Sequence, residues 1–201
     1  AFKGGGQLAV HHLACSLFSK GHQVHVLYSK YPHEQFNIEV PYEIHWVHHY
    51  DFATINLNIF SFSNVLGPLA EKEKFDVIHG NAEEAYWTGK IAKRNKSTYV
   101  FTSHTPDIPI TGMLKGMMRP IRLLKSLNTY LLRQAISEAD QVVAFSHFSR
   151  DLIMKGINNT CANKIQVISP GVESSWFEVE RKPSSGSALL FWGRIEEEKG
   201  L

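Results

Sequence analysis

Short apolar segments alternate with longer amphipathic segments along most of the chain. Residues Val10, Leu13, Ala14 and Leu17 form one apolar stripe at helical spacing, and Gly21 ends that pattern. The predicted helices are residues 7–20, 65–74, 83–93, 117–138 and 147–155. The predicted strands are residues 23–28, 42–47, 75–79, 98–102, 141–145 and 164–168. Residues 51–63 are rich in aromatic side chains and fit neither pattern clearly, and Gly67–Pro68 is expected to delay the start of the second helix.

Strands that alternate with helices predict βαβ units. Several of the strands, such as residues 98–102 and 141–145, are mostly apolar, as is typical of strands buried on both faces. The expected fold class is therefore α/β, with a parallel sheet that has helices on both faces.

The two ends of the chain suggest a larger protein. The chain opens on glycines without a preceding strand, and a new apolar strand begins at Ala188, after the polar, breaker-rich residues 181–187. We expect a first domain over residues 1–180, a linker over 181–187, and the start of a second domain over 188–201. We also expect a further strand ahead of Gly4, at the centre of the sheet, so that the chain is truncated at both ends and by itself inactive.

The composition excludes a collagen-like, disordered or disulfide-stabilised chain. The 201 residues are 43% apolar with a formal net charge of +2, and the two cysteines are too few for a disulfide framework. A net charge this small does not suggest a nucleic-acid partner. No apolar run reaches the length of a membrane span, and no basic-then-apolar signal opens the chain.

The glycines Gly4, Gly5 and Gly6 open the first predicted helix. Glycine there lets a ligand approach the backbone, and the free N–H groups of a helix start suit a phosphate. Residues 4–9 also match the dinucleotide pattern G-x-G-x-x-A, which leaves an NAD-dependent oxidoreductase as an alternative. That pattern needs an acid after the second strand, where residues 28–30 offer none. A tight turn without any ligand is the third interpretation.

Candidate site residues follow the predicted strands. His104 comes just after residues 98–102, at the edge of a parallel sheet where ligands bind, although a packed loop histidine remains an alternative. Ser146 is either a polar residue lining the site or a helix cap. Glu83 belongs to a pair that is more often the acidic first turn of a helix. The histidines lack metal-ligand spacing, so we expect no metal site and no metal cofactor.

Residues 108–137 contain no acid and five bases. The favoured interpretation is the solvated face of a core helix. The alternative is that the segment from Lys115 to Arg133 holds a charged acceptor or touches an anionic membrane at its cytoplasmic face.

Several segments, taken in order, resemble the N-terminal domain of a family 4 glycosyltransferase of the GT-B fold. They are the glycines before a helix that ends in KGH-x-V-x-V, then DVIH at 76–79, TSHT at 102–105, ADQVVAFS at 139–146, KIQVISPGVE at 164–173 with Phe177, and FWGR at 191–194 with EKG at 198–200. Each motif is modest, but their order and spacing are specific.

The resemblance implies a Rossmann-like domain and an enzyme that transfers a sugar from a nucleotide-diphosphate donor with retention of configuration. It implies that Arg194 and Lys199 bind the donor diphosphate, with Gly5 and Gly6 approaching from the other side of a cleft. It places His104 at the reaction centre, as the catalytic residue. The weaker candidates for lining the cleft are Asn81, Glu83, Thr105, Asp107 and Ser146.

The resemblance also bears on partners. It implies a carbohydrate or lipid-linked acceptor and no cofactor besides the donor substrate. The two cysteines stand in apolar segments and are expected to be reduced, so we expect a cytoplasmic protein. A non-catalytic sugar- or nucleotide-binding module of the same shape is the remaining alternative. The donor base, the sugar, the acceptor and the oligomeric state are not specified by the sequence.

Overall fold

The computed structural model describes residues 5–31, 39–50, 58–104, 129–157, 162–172, 174–178 and 180. The chain separates into two compact units, Ala1–Pro170 and Gly171–Leu201. All helices and strands below belong to the first unit. The described part of the second unit contains a 3₁₀ turn, Ser174–Phe177.

The first unit alternates helices and strands. Its helices are α1 Gly5–Ser19, α2 Asn58–Glu73, α3 Thr88–Asn95, α4 over residues 129–137 and α5 His147–Gly156. Its strands are β1 His25–Lys30, β2 Glu43–His48, β3 Val77–Asn81, β4 Thr98–Ser103, β5 Gln141–Ala144 and β6 Ile165–Val167. Two 3₁₀ turns, Glu83–Trp87 and Ala162–Lys164, precede α3 and β6.

The strands form two parallel sheets. One sheet pairs β1 with β2, and the other has the order β3-β4-β5-β6. Within the second sheet, Gly80 pairs with Phe101 and Phe101 with Val142, so the carboxyl ends of β3, β4 and β5 lie at one edge. The predicted α/β class with parallel strands is confirmed. Among the described strands no pairing joins the two sheets, and the further central strand expected ahead of Gly4 stays a prediction.

The hydrophobic core surrounds the four-stranded sheet. Phe101 and Val142 are fully buried at its centre, and Ile136 of α4 and Ile153 of α5 are fully buried against it. A reciprocal pair of hydrogen bonds fixes the register of β4. The Tyr99 N–H donates to Oδ2 of Asp140 at 2.8 Å, and the Asp140 N–H donates to the Tyr99 carbonyl at 2.9 Å. The loop before β5 is thereby tied to the start of β4.

The start of α2 differs from the prediction. The helix begins at Asn58 rather than near residue 65 and continues through Pro68. A proline inside a helix removes one backbone hydrogen bond and costs about 3 kcal/mol. Burial of Ile59, Leu66 and Ala70 on the same helix offsets that cost. Tertiary packing therefore overrides the local breaker.

The helix predicted over residues 83–93 is two elements. A 3₁₀ turn occupies Glu83–Trp87, and the α-helix runs over Thr88–Asn95. The tight first turn places Ala85 directly against Gly80, where a methyl group on Gly80 would lie 2.6 Å from the Ala85 Cβ. Of the long helix predicted over 117–138, residues 129–138 lie within the described part, and 129–137 are helical. The predicted linker and the strand at 188–192 lie outside the described residues.

Among the helices of the described residues, none combines the length and apolar character needed to cross a bilayer.

Candidate functional site

The carboxyl ends of β3 and β4 meet the first turn of α1. Asn81 is the last residue of β3, and His104 directly follows β4. Gly6 lies in the first turn of α1, and a Cβ built on it would be 3.5 Å from Cγ of His104. In an open parallel sheet this edge is where ligands bind. The residues predicted from three distant segments therefore converge on one place.

His104 is fixed by a hydrogen bond to Asn81. Its Nε2 lies 2.7 Å from Oδ1 of Asn81, which can only accept, so we assign the ring proton to Nε2. The Phe145 ring meets the imidazole edge to face, with the centroids 5.1 Å apart. Burial lowers the pKa of His104, because the charged imidazole loses hydration there. At neutral pH the ring is therefore uncharged, with its lone pair on Nδ1.

Gly6 keeps open the space beside the His104 ring. A methyl group at Gly6 would lie 3.7 Å from Nδ1 of His104, which is ordinary contact rather than a clash. Glycine is thus not required by the packing of the protein itself. Because Gly6 has no side chain, none from this residue lies between the first turn of α1 and the His104 ring.

His79 lies beside this pair and was not selected as a site residue from the sequence. Its Nε2 is 2.6 Å from Oγ1 of Thr102 on the neighbouring strand. Loss of hydration among the surrounding side chains, and then the positive charge of a protonated His104, lower the pKa of His79 from 6.5 to about 4. The residue nevertheless keeps access to solvent on one side. His79 is the last residue of the motif D-V-I-H. Its position beside His104 follows only from the pairing of β3 with β4, which the motif does not specify.

The backbone next to Asn81 is strained. Ala82 has φ 55° and ψ −168°, a region occupied almost only by glycine. This conformation turns the chain sharply from β3 into the 3₁₀ turn, with Asn81 at the corner. Strain of this kind is commonly retained where it orients a functional side chain. The sequence offered no signal for it, since alanine is ordinary in most loops.

Three other candidates have defined backbone positions. The Ser146 hydroxyl accepts a hydrogen bond from the Ser149 N–H at 3.1 Å, so it is the N-cap of α5, one of its two predicted roles. Gly5 is exposed in the first turn of α1, with no atom within 4 Å of a Cβ built on it. The backbone of Glu83 lies in the 3₁₀ turn that follows Ala82.

The remaining candidates are Thr105, Asp107, Arg194 and Lys199, which lie outside the described residues. The same is true of most of the basic segment from Lys115 to Arg133. Arg133 itself is half-buried on α4. Their predicted roles stay predictions.

A second polar cluster lies in the two-stranded sheet, at the amino ends of β1 and β2. His25 Nδ1 is 2.9 Å from His45 Nε2, and Glu43 is next to both rings. The sequence predicted no metal site among the histidines, and neither His25 nor His45 was a candidate site residue. The signal was present as E-x-H on β2, which puts Glu43 and His45 on one face, but the partner on β1 follows only from the register.

These features define an α/β domain with parallel strands. At the carboxyl edge of its four-stranded sheet, a glycine-containing helix start, a histidine and an asparagine form the candidate ligand site. The family model described as Glycosyltransferase Family 4 matches residues 3–176. The chain therefore belongs to glycosyltransferase family 4, with the Rossmann-like domain and the glycosyltransferase-like function of that family. A comparison with curated proteins gave no match.

Proposed function

We propose that this chain is the acceptor-side domain of a retaining glycosyltransferase. The enzyme transfers a sugar from a nucleotide-diphosphate sugar to a glycan, a lipid-linked sugar or a small-molecule acceptor. The observation that carries the proposal is the convergence of Gly6, His104 and Asn81 at the carboxyl edge of the sheet. An open helix start beside a neutral, oriented imidazole suits a ligand that carries both phosphate and hydroxyl groups.

In this proposal the chemistry needs no nucleophile from the protein. The bond between the anomeric carbon and the donor phosphate oxygen breaks, and the acceptor oxygen attacks from the same face. The acceptor proton passes to the departing phosphate oxygen. The negative charge that develops on the diphosphate is stabilised by the start of α1 and by the side chains of Arg194 and Lys199, without a catalytic metal.

His104 has a positioning and hydrogen-bonding role in this scheme. Its Nδ1 is the free acceptor, because Nε2 is occupied by Asn81. A sugar hydroxyl that donates to Nδ1 would be held at a fixed distance from the first turn of α1. Such positioning acts on the transition state when the imidazole is neutral, which is the form that burial favours.

Two alternatives lead to different ligands. An NAD-dependent oxidoreductase would need an acid at the end of β1, where Tyr28 instead donates a hydrogen bond to Gln7 and Lys30 lies over the Trp46 ring. A non-catalytic binding module would bind the nucleotide without turnover.

We also propose a cytoplasmic enzyme, with the segment from Lys115 to Arg133 as the part that would touch an anionic membrane.

The test is ligand binding and turnover by the full-length gene product. Thermal unfolding is measured with UDP, GDP, ADP and NAD at equal concentration, since a ligand that binds the folded state raises the midpoint. We expect a rise with one nucleoside diphosphate and none with NAD. The matching nucleotide sugar should then be consumed with release of that nucleoside diphosphate, and the product should keep the anomeric configuration of the donor.

A variant links the activity to this site. His104→Gln should lower turnover by about 10²–10³-fold, the size seen when one transition-state hydrogen bond is removed. Its melting temperature should stay close to that of the wild type. His22→Gln is the matched control, because His22 is exposed in the turn after α1. Nucleotide binding without turnover would support the binding module instead, and a shift with NAD alone would support the oxidoreductase.

A further inference from the structure

Three metal-ligating side chains lie together on the two neighbouring strands of the first sheet. His25 is the first residue of β1, and its Cα pairs with that of Glu43, the first residue of β2. His45 is two residues further along β2, so it points to the same face as Glu43. One ligand atom from each of the three residues lies within 4.8 Å of the others.

The distances between the ligand atoms suit one small cation. His25 Nδ1 is 2.9 Å from His45 Nε2, and the Glu43 oxygens are 3.6 Å from the first nitrogen and 3.4 Å from the second. Tetrahedral Zn²⁺ holds its nitrogen and oxygen ligands at about 2.0–2.1 Å, which places them about 3.3 Å apart. The distance between the two nitrogens and the distance from each nitrogen to its nearer Glu43 oxygen are therefore close to the required spacing. A fourth position remains for water or a further carboxylate.

Burial and charge favour a cation at this point. The side chain of His25 is only 3% exposed and that of His45 is 19% exposed. The two rings stack with a 10° tilt, and Phe75 covers His25 edge-on. Glu73, at the end of α2, is close enough for its charge to act on both imidazoles, while it also pairs with the exposed Lys72. Glu43 is therefore next to both imidazoles, and Glu73 adds a second negative charge near them.

A hydrogen bond between the histidines accounts for the cluster only in part. A single proton between the two nitrogens satisfies that pair, yet Nε2 of His25 is buried without a partner among the described residues. Within the described part of the chain, the polar contacts of the His25 ring, to His45 and Glu43, are both made by Nδ1. The ring is therefore held at this position by its packing, with Nδ1 directed to the point where the other two ligands meet.

We propose that His25, Glu43 and His45 bind one Zn²⁺ ion, which clamps β1 to β2. Imidazole nitrogens with one carboxylate match zinc better than Mg²⁺ or Ca²⁺, which prefer oxygen ligands. The site lies at the amino ends of the two strands, whereas His104 and Asn81 lie at the carboxyl ends of β3 and β4. The ion is structural and takes no part in the proposed glycosyl transfer, so the inference does not rest on that function.

The test measures zinc binding and stability in protein stripped with a chelator. We expect the full-length protein to take up one equivalent of Zn²⁺, with a higher melting temperature after uptake. Glu43→Gln removes one ligand charge at a residue whose side chain is 61% exposed, so folding should be retained. Its zinc affinity should fall at least about tenfold, and His45→Gln should behave in the same way.

His48→Gln provides the matched control, because His48 is exposed on the same strand and lies outside the cluster. It should bind zinc like the wild type. X-ray absorption at the zinc edge should show nitrogen and oxygen ligands at about 2.0–2.1 Å. Three results would overturn the proposal: no uptake at equimolar zinc, equal affinity in Glu43→Gln and wild type, or a sulfur ligand, which His25, Glu43 and His45 cannot supply.

Discussion

The imidazole of His104 donates its Nε2 proton to Oδ1 of Asn81 across a distance of 2.7 Å. Asn81 is the last residue of β3, and His104 directly follows β4. These neighbouring strands are in a register that pairs Asn81 with Thr102. Asn81 therefore decides which nitrogen of His104 carries the proton. Because Asn81 is uncharged, it stabilises the imidazolium less than a carboxylate would, and burial favours the neutral ring.

Asn81→Asp is predicted to move the acid side of the activity profile to higher pH. A carboxylate beside Nε2 stabilises the charged ring, so the pKa of His104 rises. In the wild type the pKa of His104 is lowered by burial, so activity should decline only as the pH falls below about 6.5, the usual value for histidine. The check is the pH profile of kcat/KM for the full-length enzyme. A profile that does not move in Asn81→Asp would contradict the assigned hydrogen bond.

Gly6→Ala is predicted to impair activity without loss of stability. The added methyl group would make only ordinary contacts with the His104 ring, and alanine favours the helix by up to about 1 kcal/mol. The methyl group nevertheless occupies the space left for the ligand, so kcat/KM should fall about 10–100-fold. Gly67→Ala in α2 is the matched control, since no atom lies within 4 Å of its Cβ position. Full activity in Gly6→Ala would exclude this space from the ligand site.

Gly80→Ala is predicted to destabilise the fold. The new Cβ would lie 2.6 Å from that of Ala85 and 3.0 Å from the ring of Tyr99, and both neighbours are buried. Overpacking of a core commonly costs about 1–3 kcal/mol of unfolding free energy. Denaturant unfolding measures the loss, with Gly67→Ala again as the variant that should not lose stability. Unchanged stability would mean that the 3₁₀ turn Glu83–Trp87 can move away from β3.

The sequence predicted the order of the elements, because apolar periodicity is a local property. Residues 98–102 and 147–155 were placed to within one residue at each end, since β4 and α5 are bounded by clear polar signals. The start of α2 was predicted seven residues late. Proline and glycine weaken a helix locally, but packing of Ile59 and Ala70 in the interior stabilises the helix from Asn58 onward.

The candidate site was predictable in its residue types but not in its contacts. His104 and Gly6 were selected from local motifs, and the structure brings them together. His79, the strained Ala82 and the His25 cluster were missed. The positions of His79 and of the His25 cluster depend on which strands are neighbours, and the strain at Ala82 depends on a backbone angle. A short segment of sequence specifies neither the strand order nor that angle.

His79 is predicted to make stability depend on pH below neutrality. Its pKa is lowered from 6.5 to about 4 in the folded state, so the unfolded chain binds the proton more readily. Stability should therefore fall as the pH drops from about 6.5 toward 4, and solvent access on one side of the residue limits the size of the effect. Urea midpoints at several pH values measure it. The slope should be shallower in His79→Gln, and an identical slope would contradict the lowered pKa.

Ala82→Gly is predicted to raise stability and lower activity together. Glycine removes the strain of φ 55° and ψ −168°, which is of the order of 1–3 kcal/mol, while it adds a smaller entropy to the unfolded chain. Relaxing this corner should also loosen Asn81 and, through it, His104. Lys96→Gly is the matched control, because Lys96 also has a positive φ, of 62°, but caps α3 away from the site. Denaturant midpoints and kcat/KM are measured for both variants. If both gain stability and only Ala82→Gly loses activity, the strained corner serves the site. If Ala82→Gly loses stability while Lys96→Gly gains it, the conformation of Ala82 is not strained.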